Sequence, residues 1–143
     1  MKKSTPIDPE SVLIEHGFKR TPLRLALLEL FSQSTKPFTA TDLIKKTKKV
    51  GTDTATLYRA LTAFLEAGII QSLALQKDKV SYQLKSSHTH HIVCNKCGTI
   101  ETVPFCIRDI TKKAVLTSKL FKVINEHRLE FFGTCRKCIR AVR

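Results

Sequence analysis

The sequence contains Cys94-Asn95-Lys96-Cys97 and, after 37 intervening residues, Cys135-Arg136-Lys137-Cys138. Two cysteines separated by two residues can reach one metal ion together, and two such pairs supply the four thiolates of a tetrahedral zinc site. A single pair would also be compatible with a thioredoxin-like redox site, but no strand-helix-strand pattern precedes either pair. We therefore predict a structural Zn²⁺ site that joins two distant parts of the chain and leaves no open position for a substrate.

Charge and composition limit the class of protein. The 143 residues carry a formal net charge of +13, with 14 basic and 8 acidic side chains in residues 1–85 and 11 and 4 in residues 86–143. This excess favours a polyanionic partner, and charge alone admits DNA, RNA or an anionic membrane surface. No run of ~18 apolar residues suits a membrane helix. Met1-Lys2-Lys3-Ser4 is not followed by a signal-type apolar stretch, and Cys106 is an odd thiol, so we expect a cytoplasmic protein.

The first half of the sequence is typical of several short helices followed by a hairpin. Thr21-Pro22 has the pattern of an N-cap followed by proline, and Thr39 and Asp42 have the spacing of a capping box. The predicted helices run from about Pro9 to His16, from Pro22 through Phe31, from Thr39 into Lys45–Lys49 with a stop at Gly51, and from near Thr52 to Gly68; the predicted strands are Ile69–Leu75 and Lys79–Leu84. This order predicts a winged helix-turn-helix domain at residues 1–85.

The fourth predicted helix has the composition of a DNA-reading helix. Its apolar residues fall on one arc, and the opposite face carries small side chains, hydroxyls and Arg59, which can donate two hydrogen bonds to guanine. An ordinary surface helix has the same amphipathic pattern, but the preceding lysine run and the basic wing favour DNA. The predicted DNA-contacting residues are Lys19, Arg20, Thr52, Ala55, Thr56, Tyr58, Arg59, Thr62, Lys77 and Lys79.

In the second half, alternation and periodicity predict a strand at Ile100–Val103, a helix from Phe105 to about Ser118, and one long strand from Phe121 to Phe132. In such a strand His127 would lie on the apolar face, where a histidine is more often a hydrogen-bonded core residue than a metal ligand. His88 and His90 are two residues apart in an extended segment, so they would lie on one side of it.

Motifs along nearly the whole chain, in a fixed order, carry a resemblance to a known family. They are Phe18-Lys19-Arg20-Thr21-Pro22-Leu23-Arg24, Ala55-Thr56-Leu57-Tyr58-Arg59-Ala60-Leu61, Ala67-Gly68-Ile69-Ile70, His88-Thr89-His90-His91-Ile92-Val93-Cys94-x-x-Cys97-Gly98, and His127 eight residues before Cys135. With these motifs the chain resembles the ferric uptake regulator family of metal-dependent bacterial repressors. The resemblance implies an α+β fold, with an N-terminal winged helix-turn-helix domain (residues 1–85) followed by a small α/β dimerisation and metal-binding domain (residues 86–143) that holds the structural zinc.

The resemblance also implies a regulatory metal site. His88, His90, Asp109 and His127 match, position by position, a nitrogen and oxygen site of this family, and such ligands suit Zn²⁺, Fe²⁺, Co²⁺ or Mn²⁺. A hydrogen-bonded polar cluster is the alternative. At the second regulatory site of the family this chain departs from the pattern. Pro37-Phe38 stands where relatives place a histidine, Gln83 where they often have an acidic residue or cysteine, and Thr89 interrupts the histidine run. Of that ligand set His91 alone clearly remains, and Glu101 and His16 are weak candidates to replace the others.

These observations predict a metal-responsive repressor of metal homeostasis genes that binds double-stranded operator DNA as a homodimer. The departures at the second site favour a zinc-responsive, zinc-uptake-regulator-like protein over an iron-, manganese- or peroxide-responsive one. Its cofactors would be structural Zn²⁺ and a second Zn²⁺, Fe²⁺ or Mn²⁺. A constitutive zinc-stabilised DNA-binding protein and a zinc hydrolase are the alternatives. The sequence shows no nucleophile motif, so we expect no enzyme, no catalytic residue, no small-molecule substrate and no membrane partner.

Overall fold

The computed structural model describes residues 7–76, 79–85, 90–103, 108–125, 127 and 129–141. The chain divides into two compact units, Met1–Lys85 and Ser86–Arg143. Helices and sheets occur in both units, which confirms the predicted α+β class. In the described part of the chain, no helix has both the length and the apolar character needed to cross a membrane.

The first unit opens with two helices whose N-caps match the sequence signals. Helix α1 (Pro9–Glu15) is capped by Asp8, whose carboxylate accepts a hydrogen bond of 3.1 Å from the Ser11 backbone N–H. Helix α2 (Pro22–Gln33) is capped by Thr21, and its proline occupies the first turn as predicted. Proline is tolerated there because the first backbone N–H groups of a helix have no intrahelical partner.

Helix α3 (Ala40–Lys46) begins with the predicted capping box. The Asp42 carboxylate accepts from the Thr39 backbone N–H at 3.0 Å, and the Thr39 hydroxyl oxygen accepts from the Asp42 backbone N–H at 3.2 Å. The predicted extension of this helix through the lysine run is wrong. The buried Thr47 donates its hydroxyl to the Leu43 carbonyl at 2.8 Å, and a single 3-10 turn (Lys48–Val50) follows, closed by Gly51 at φ 70°.

Helix α4 (Thr54–Glu66) follows after a short connection. Its start agrees with the predicted start near Thr52. Asp53 is the N-cap, because the Asp53 carboxylate accepts from the Thr56 backbone N–H at 2.8 Å and from the Thr56 hydroxyl at 2.7 Å. The apolar face of α4 packs into the core of the unit. The core consists of Leu13, Leu23, Leu27, Leu28, Phe31, Leu43, Leu57, Ala60, Leu61, Phe64, Ile69 and Ile70.

A three-stranded antiparallel sheet completes the first unit. Strands β2 (Ile70–Gln76) and β3 (Lys79–Leu84) form the predicted hairpin, and β1 (Phe38–Thr39), which the sequence did not predict, pairs with the other side of β3. The register places Phe38 opposite Tyr82. Helices α3 and α4 followed by this hairpin form the winged helix-turn-helix arrangement.

The second unit contains a mixed sheet in the order β5-β4-β6. Strand β4 (His90–Cys94) pairs antiparallel with β5 (Ile100–Val103) and parallel with β6 (Glu130–Gly133). Helix α5 (Arg108–Thr117) lies between β5 and β6 in sequence, and the short helix α6 (Arg136–Arg140) follows β6. The sequence predicted β5 and the body of α5 but neither β4 nor α6.

The predicted long strand from Phe121 to Phe132 is wrong. Within the described residues of that range, only the part from Glu130 onward is a strand, and the Phe121 and Val123 side chains are each 68% exposed. The apolar and polar residues do alternate there, but a strand also needs a partner for its backbone groups. In the described part of the chain, β4 supplies one from His91, opposite Glu130, to Cys94, opposite Gly133.

The capping box of α3 gives a prediction about stability. A Thr39→Ala variant should lose about 1 kcal/mol of unfolding free energy at pH 7, whereas Thr41→Ala, which changes an exposed threonine in the same turn, should lose much less.

Hydrogen bonds from Thr39 lower the pKa of Asp42 below its ordinary value of 3.8. A depressed carboxyl pKa stabilises the fold above the unfolded pKa. The difference between Thr39→Ala and wild type should therefore shrink as the pH falls below 3.8 in urea titrations. Equal losses for both variants would contradict the capping role.

Candidate metal centre and nucleic-acid interface

The four predicted cysteine ligands come together in the second unit. The ligand atoms of Cys94, Cys97, Cys135 and Cys138 all lie within 4.8 Å of one another. Cys94 ends β4, Cys97 lies in the following turn, Cys135 is the N-cap of α6 and Cys138 lies within α6. We call these four residues the cysteine cluster.

Backbone pairing explains why pairs so distant in sequence meet. Strands β4 and β6 run parallel with Cys94 opposite Gly133, and the Asn95 N–H donates to the Gly133 carbonyl at 2.8 Å. Cys135 follows two residues later. Gly98, at φ 71°, reverses the chain after Cys97, and its N–H donates to the Cys94 carbonyl at 2.9 Å. Both cysteine pairs therefore lie at the same end of the sheet.

The geometry of the cysteine cluster fits a tetrahedral zinc ion. A Zn–S bond of about 2.3 Å places neighbouring sulfurs of a tetrahedron about 3.8 Å apart, and the Cys97 and Cys135 sulfurs are 3.6 Å apart. The same distance is far too long for a disulfide, whose sulfurs lie about 2.05 Å apart. A structural zinc site takes all four of its ligands from the protein and keeps no position for water, and four thiolates match that donor set.

The electrostatics of the cysteine cluster also favour a bound cation. The Cys135 backbone N–H donates to the Cys94 sulfur at 3.3 Å. This hydrogen bond, together with those from the Cys97 and Lys96 backbone N–H groups, lowers the pKa of Cys94 to about 6. Hydrogen bonds from the Cys138 thiol to Cys135 and Cys97 raise the pKa of Cys138 to about 12. Hydrogen bonding with Thr99 lowers the pKa of Cys97 as well. Some thiols of the cluster are thus easier to ionise than others, and a divalent cation would favour the thiolate form of all four.

His90 has the setting of a metal ligand. Its side chain is only 4% exposed, and its ring lies 5.4 Å from the His127 ring, centroid to centroid. The Leu129 carbonyl lies 3.1 Å from His90 Nδ1. A carbonyl can only accept, so Nδ1 carries the proton and Nε2 presents its lone pair. Among the described residues, no group hydrogen-bonds that buried Nε2 atom.

The structure brings together part of the predicted regulatory quartet. His90 and His127 are neighbours, as predicted. Asp109 belongs to α5, but its side chain lies outside the described part of the chain, and so does all of His88. The assignment of all four residues as metal ligands stays a prediction.

Within the second unit, the weaker candidates for the second regulatory site lie on different faces of the sheet. His91 follows His90 on β4, so the two side chains lie on opposite faces of the sheet. Burial lowers the pKa of His91. Glu101 is exposed and opposite Ile92, which puts it on the face away from His91. His16 belongs to the other unit, where its Nδ1 lies 2.9 Å from the Val12 carbonyl. Glu130 was not singled out from the sequence, where it was one residue of the long predicted strand. In the structure it is half-buried and stands opposite His91 in the pairing of β4 with β6.

The predicted DNA-contacting residues are mostly exposed on the first unit. Of the residues predicted to contact DNA, Ala55, Tyr58, Arg59 and Thr62 on α4 are exposed, while Thr56 on α4 and Thr52 before it are half-buried. The Thr56 hydroxyl is engaged by the N-cap Asp53. Arg20 forms an ion pair of 3.2 Å with Glu10, while Lys19 and Lys79 are exposed. Lys77 lies outside the described residues.

Comparison with known proteins identifies the family. The sequence model of the ferric uptake regulator family matches residues 15–132. The chain belongs to this family. The ferric uptake regulation protein of Neisseria meningitidis serogroup A is 31% identical over 130 residues, 88% of this chain and 90% of that protein. The peroxide operon regulator of Bacillus subtilis is 31% identical over 128 residues, 88% of each chain. The structure of the ferric uptake regulator from Francisella tularensis with iron matches with a TM-score of 0.71 and 33% identity, over 86% of this chain and 96% of that chain.

Membership in the ferric uptake regulator family decides between the classes considered from sequence. Proteins of this family are metal-responsive, DNA-binding transcription regulators and not enzymes. The prediction of a metal-binding transcription regulator is therefore confirmed, and the alternative of a zinc hydrolase built on His88, His90, Asp109 or Glu101 is wrong.

The cysteine cluster gives a prediction about folding. A Cys94→Ser variant should lose its tightly bound zinc, about one ion per chain, because one sulfur ligand is replaced by a weaker oxygen. It should also melt at lower temperature or lose its self-association, since zinc binding contributes folding free energy. Asn95→Ser, which changes an exposed residue of the same turn, is the matched control and should keep both properties. Full zinc content and an unchanged melting temperature in Cys94→Ser, by metal analysis and calorimetry, would contradict the structural role.

Proposed function

We propose that this chain is a homodimeric repressor of metal homeostasis genes, that it binds operator DNA when a second divalent metal is bound, and that zinc is that metal. In this proposal the unit at residues 1–85 reads DNA, and the unit at residues 86–143 dimerises and senses metal. The observation that carries the proposal is the buried His90 ring. Its Nδ1 bonds the Leu129 carbonyl, its buried Nε2 has no hydrogen-bond partner among the described residues, and the ring lies 5.4 Å from the His127 ring. Burying an imidazole acceptor without a partner costs free energy that a ligand would recover.

The composition of the site supports reversible metal binding. His90, His127, and by resemblance His88 and Asp109, offer nitrogen and oxygen atoms and no thiolate. Such ligands suit Zn²⁺, Fe²⁺ and Mn²⁺, and the bound ion would supply a positive centre that holds several side chains at once. The structural cysteine cluster uses a different donor set, so the two sites can differ in affinity within one unit.

The first unit supports DNA reading. Helix α4 presents Ala55, Tyr58, Arg59 and Thr62 to solvent, and a recognition helix uses its exposed face in the major groove. Arginine can donate two hydrogen bonds to guanine, and the tyrosine ring can pack on a thymine methyl group.

The second unit supports dimerisation. Its large exposed apolar side chains include Leu116 (84% exposed), Leu120 (88% exposed), Phe121 and Val123. Large apolar side chains exposed to this extent, close together in sequence, are typical of a surface that another protein covers. A second copy of this unit would bury them and would present two reading heads to two half-sites.

The departures from the family pattern at the second regulatory site favour a regulator that responds to zinc over one that responds to iron or to peroxide. Phe38, at a position where relatives place a histidine, packs against Phe31 with ring centroids 6.0 Å apart, so it is part of the core. Gln83, at a position where a carboxylate or cysteine is common in the family, is a buried amide on β3. An iron- or manganese-responsive regulator is the second candidate, because the relatives include an iron-bound regulator.

The free energy required of the switch is within reach of one metal site. Changing a reading head from ~1% to ~99% competent requires about 5.5 kcal/mol of differential binding. Structural zinc sites in peptides contribute about 10–16 kcal/mol, so a weaker, reversible site can still provide that difference.

The switch gives a direct prediction. His90→Ala and His127→Ala should keep the zinc of the cysteine cluster and the dimer but lose the increase in DNA affinity on adding Zn²⁺, because the second site loses a nitrogen ligand. The probe is DNA selected by wild-type protein from a random duplex library, titrated with and without a chelator that spares the cysteine cluster. Gln33→Ala, which changes an exposed side chain of α2 that has no proposed role in metal or DNA binding, is the control and should respond like wild type. Unchanged metal dependence in both site variants would exclude this switch, and unchanged binding of wild type with chelator would indicate a constitutive DNA-binding protein.

The reading helix gives a second prediction. Arg59→Ala should cost about 1–3 kcal/mol on the selected DNA but much less on random duplex, because a base contact carries sequence information and a phosphate contact does not. Arg140→Ala removes the same charge from an exposed position on α6 and should leave the preference for selected DNA intact. The measurement is fluorescence anisotropy with both duplexes at one salt concentration. An equal loss on the two duplexes would show that Arg59 does not read a base.

A further inference from the structure

Four lysines lie in the ten residues before α4, and none of them is among the predicted DNA-contacting residues. Lys45 and Lys46 end α3, and Lys48 and Lys49 begin the 3-10 turn. All four side chains are exposed, whereas Thr47 between them is 4% exposed. We call these four residues the lysine cluster.

Hydrogen bonds fix the backbone that carries the lysine cluster. The Thr47 N–H and hydroxyl both donate to the Leu43 carbonyl, at 2.9 and 2.8 Å. The Val50 N–H donates to the Thr47 carbonyl at 2.9 Å, and the Gly51 N–H donates to the Lys48 carbonyl at 3.1 Å. With Thr47 turned inward and bonded, the four lysines point outward from an ordered segment, so less backbone entropy is lost when they bind a partner.

The charge of the lysine cluster is poorly compensated. The nearest carboxylates in sequence are Asp42 and Asp53, and each already accepts hydrogen bonds as a helix cap. Among the described residues of the first unit, the ion pair within bonding distance joins Arg20 to Glu10, and no lysine of the cluster takes part in one. Four positive charges therefore face solvent against two carboxylates already engaged as caps.

Stability explains only half of the lysine cluster. Lys45 and Lys46 lie in the last turn of α3, where a cation gains about 0.3–1 kcal/mol from the helix dipole. Lys46 also lies over the Phe38 ring, with Nζ 5.7 Å from the centroid. Lys48 and Lys49 lie after the end of α3 and before the first turn of α4, so neither helix dipole accounts for their charge, and that charge points to a partner.

The place of the lysine cluster in the helix-turn-helix identifies that partner. In such domains the N-terminal part of the recognition helix enters the major groove, and the helix before it crosses the phosphate backbone. Here α3 is that preceding helix, and only Gly51 and Thr52 separate the 3-10 turn from the N-cap Asp53. The lysines are thus at the end of the domain where the backbone passes.

We infer that the lysine cluster is a second DNA-contacting surface, at which Lys48 and Lys49 bind backbone phosphates beside the groove read by α4. This inference rests on the proposed function and adds a sequence-independent contact to it. Each phosphate neutralised by a lysine releases condensed counterions, which makes the affinity depend on salt.

The test measures the salt dependence of binding to a random-sequence duplex of about 30 base pairs, which requires no known operator. Lys48→Gln with Lys49→Gln should reduce the slope of log affinity against log salt by about 0.9 for each phosphate that the variant no longer neutralises. The affinity at ~0.1 M salt should fall roughly 10-fold or more. Lys112→Gln with Lys113→Gln removes two exposed charges from α5 and should leave the slope unchanged.

The outcomes separate the inference from the proposed function. Equal slopes for the two double variants and for wild type would overturn the lysine contact and leave DNA regulation by α4 intact. A wild-type protein that does not bind the duplex at low salt would overturn both. Circular-dichroism melting of each variant verifies that the substitutions at exposed positions leave the fold unchanged.

Discussion

The parallel pairing of β4 with β6 is the constraint on which the second unit depends. Four residue pairs, from His91 opposite Glu130 to Cys94 opposite Gly133, join segments about forty residues apart in sequence. At one end of this pairing the cysteines meet, and near the other the Leu129 carbonyl accepts from His90. A parallel pair needs a long connection, and α5 lies within it. Both candidate metal sites therefore rely on the same backbone hydrogen bonds.

The first unit depends on helix caps rather than on a metal. Asp8, Thr21, Thr39 and Asp53 each satisfy a backbone N–H at the start of a helix. These caps set where each helix begins. The apolar faces of the helices then pack together in a single core that includes Phe64. The N-cap of α4 also fixes which residues of that helix face solvent, so a local hydrogen bond determines the surface available to DNA.

Much of this architecture could be predicted from sequence, for reasons that are local. The caps at Thr21 and Thr39, the hairpin and the two cysteine pairs are all signalled by residues close together in the chain. The failures arise where distant residues decide. Phe121–Phe132 alternates like a strand, but β4 is too short to pair with most of it; β1 is only two residues long and exists because β3 offers it an edge. The Leu129 carbonyl beside His90 could not be predicted, since a backbone atom leaves no trace in the sequence.

His90 and Cys94 are four residues apart on β4, on the same side of the strand. A cation held by the sulfurs anchors the end of that strand, and the strand in turn holds the imidazole in place. The two ions are therefore expected to load in a fixed order, first the tightly held one and then the exchangeable one. Under the proposed function, a shortage of the sensed metal would empty the exchangeable site before the cysteine cluster, so the protein would stay folded while its regulatory site is empty.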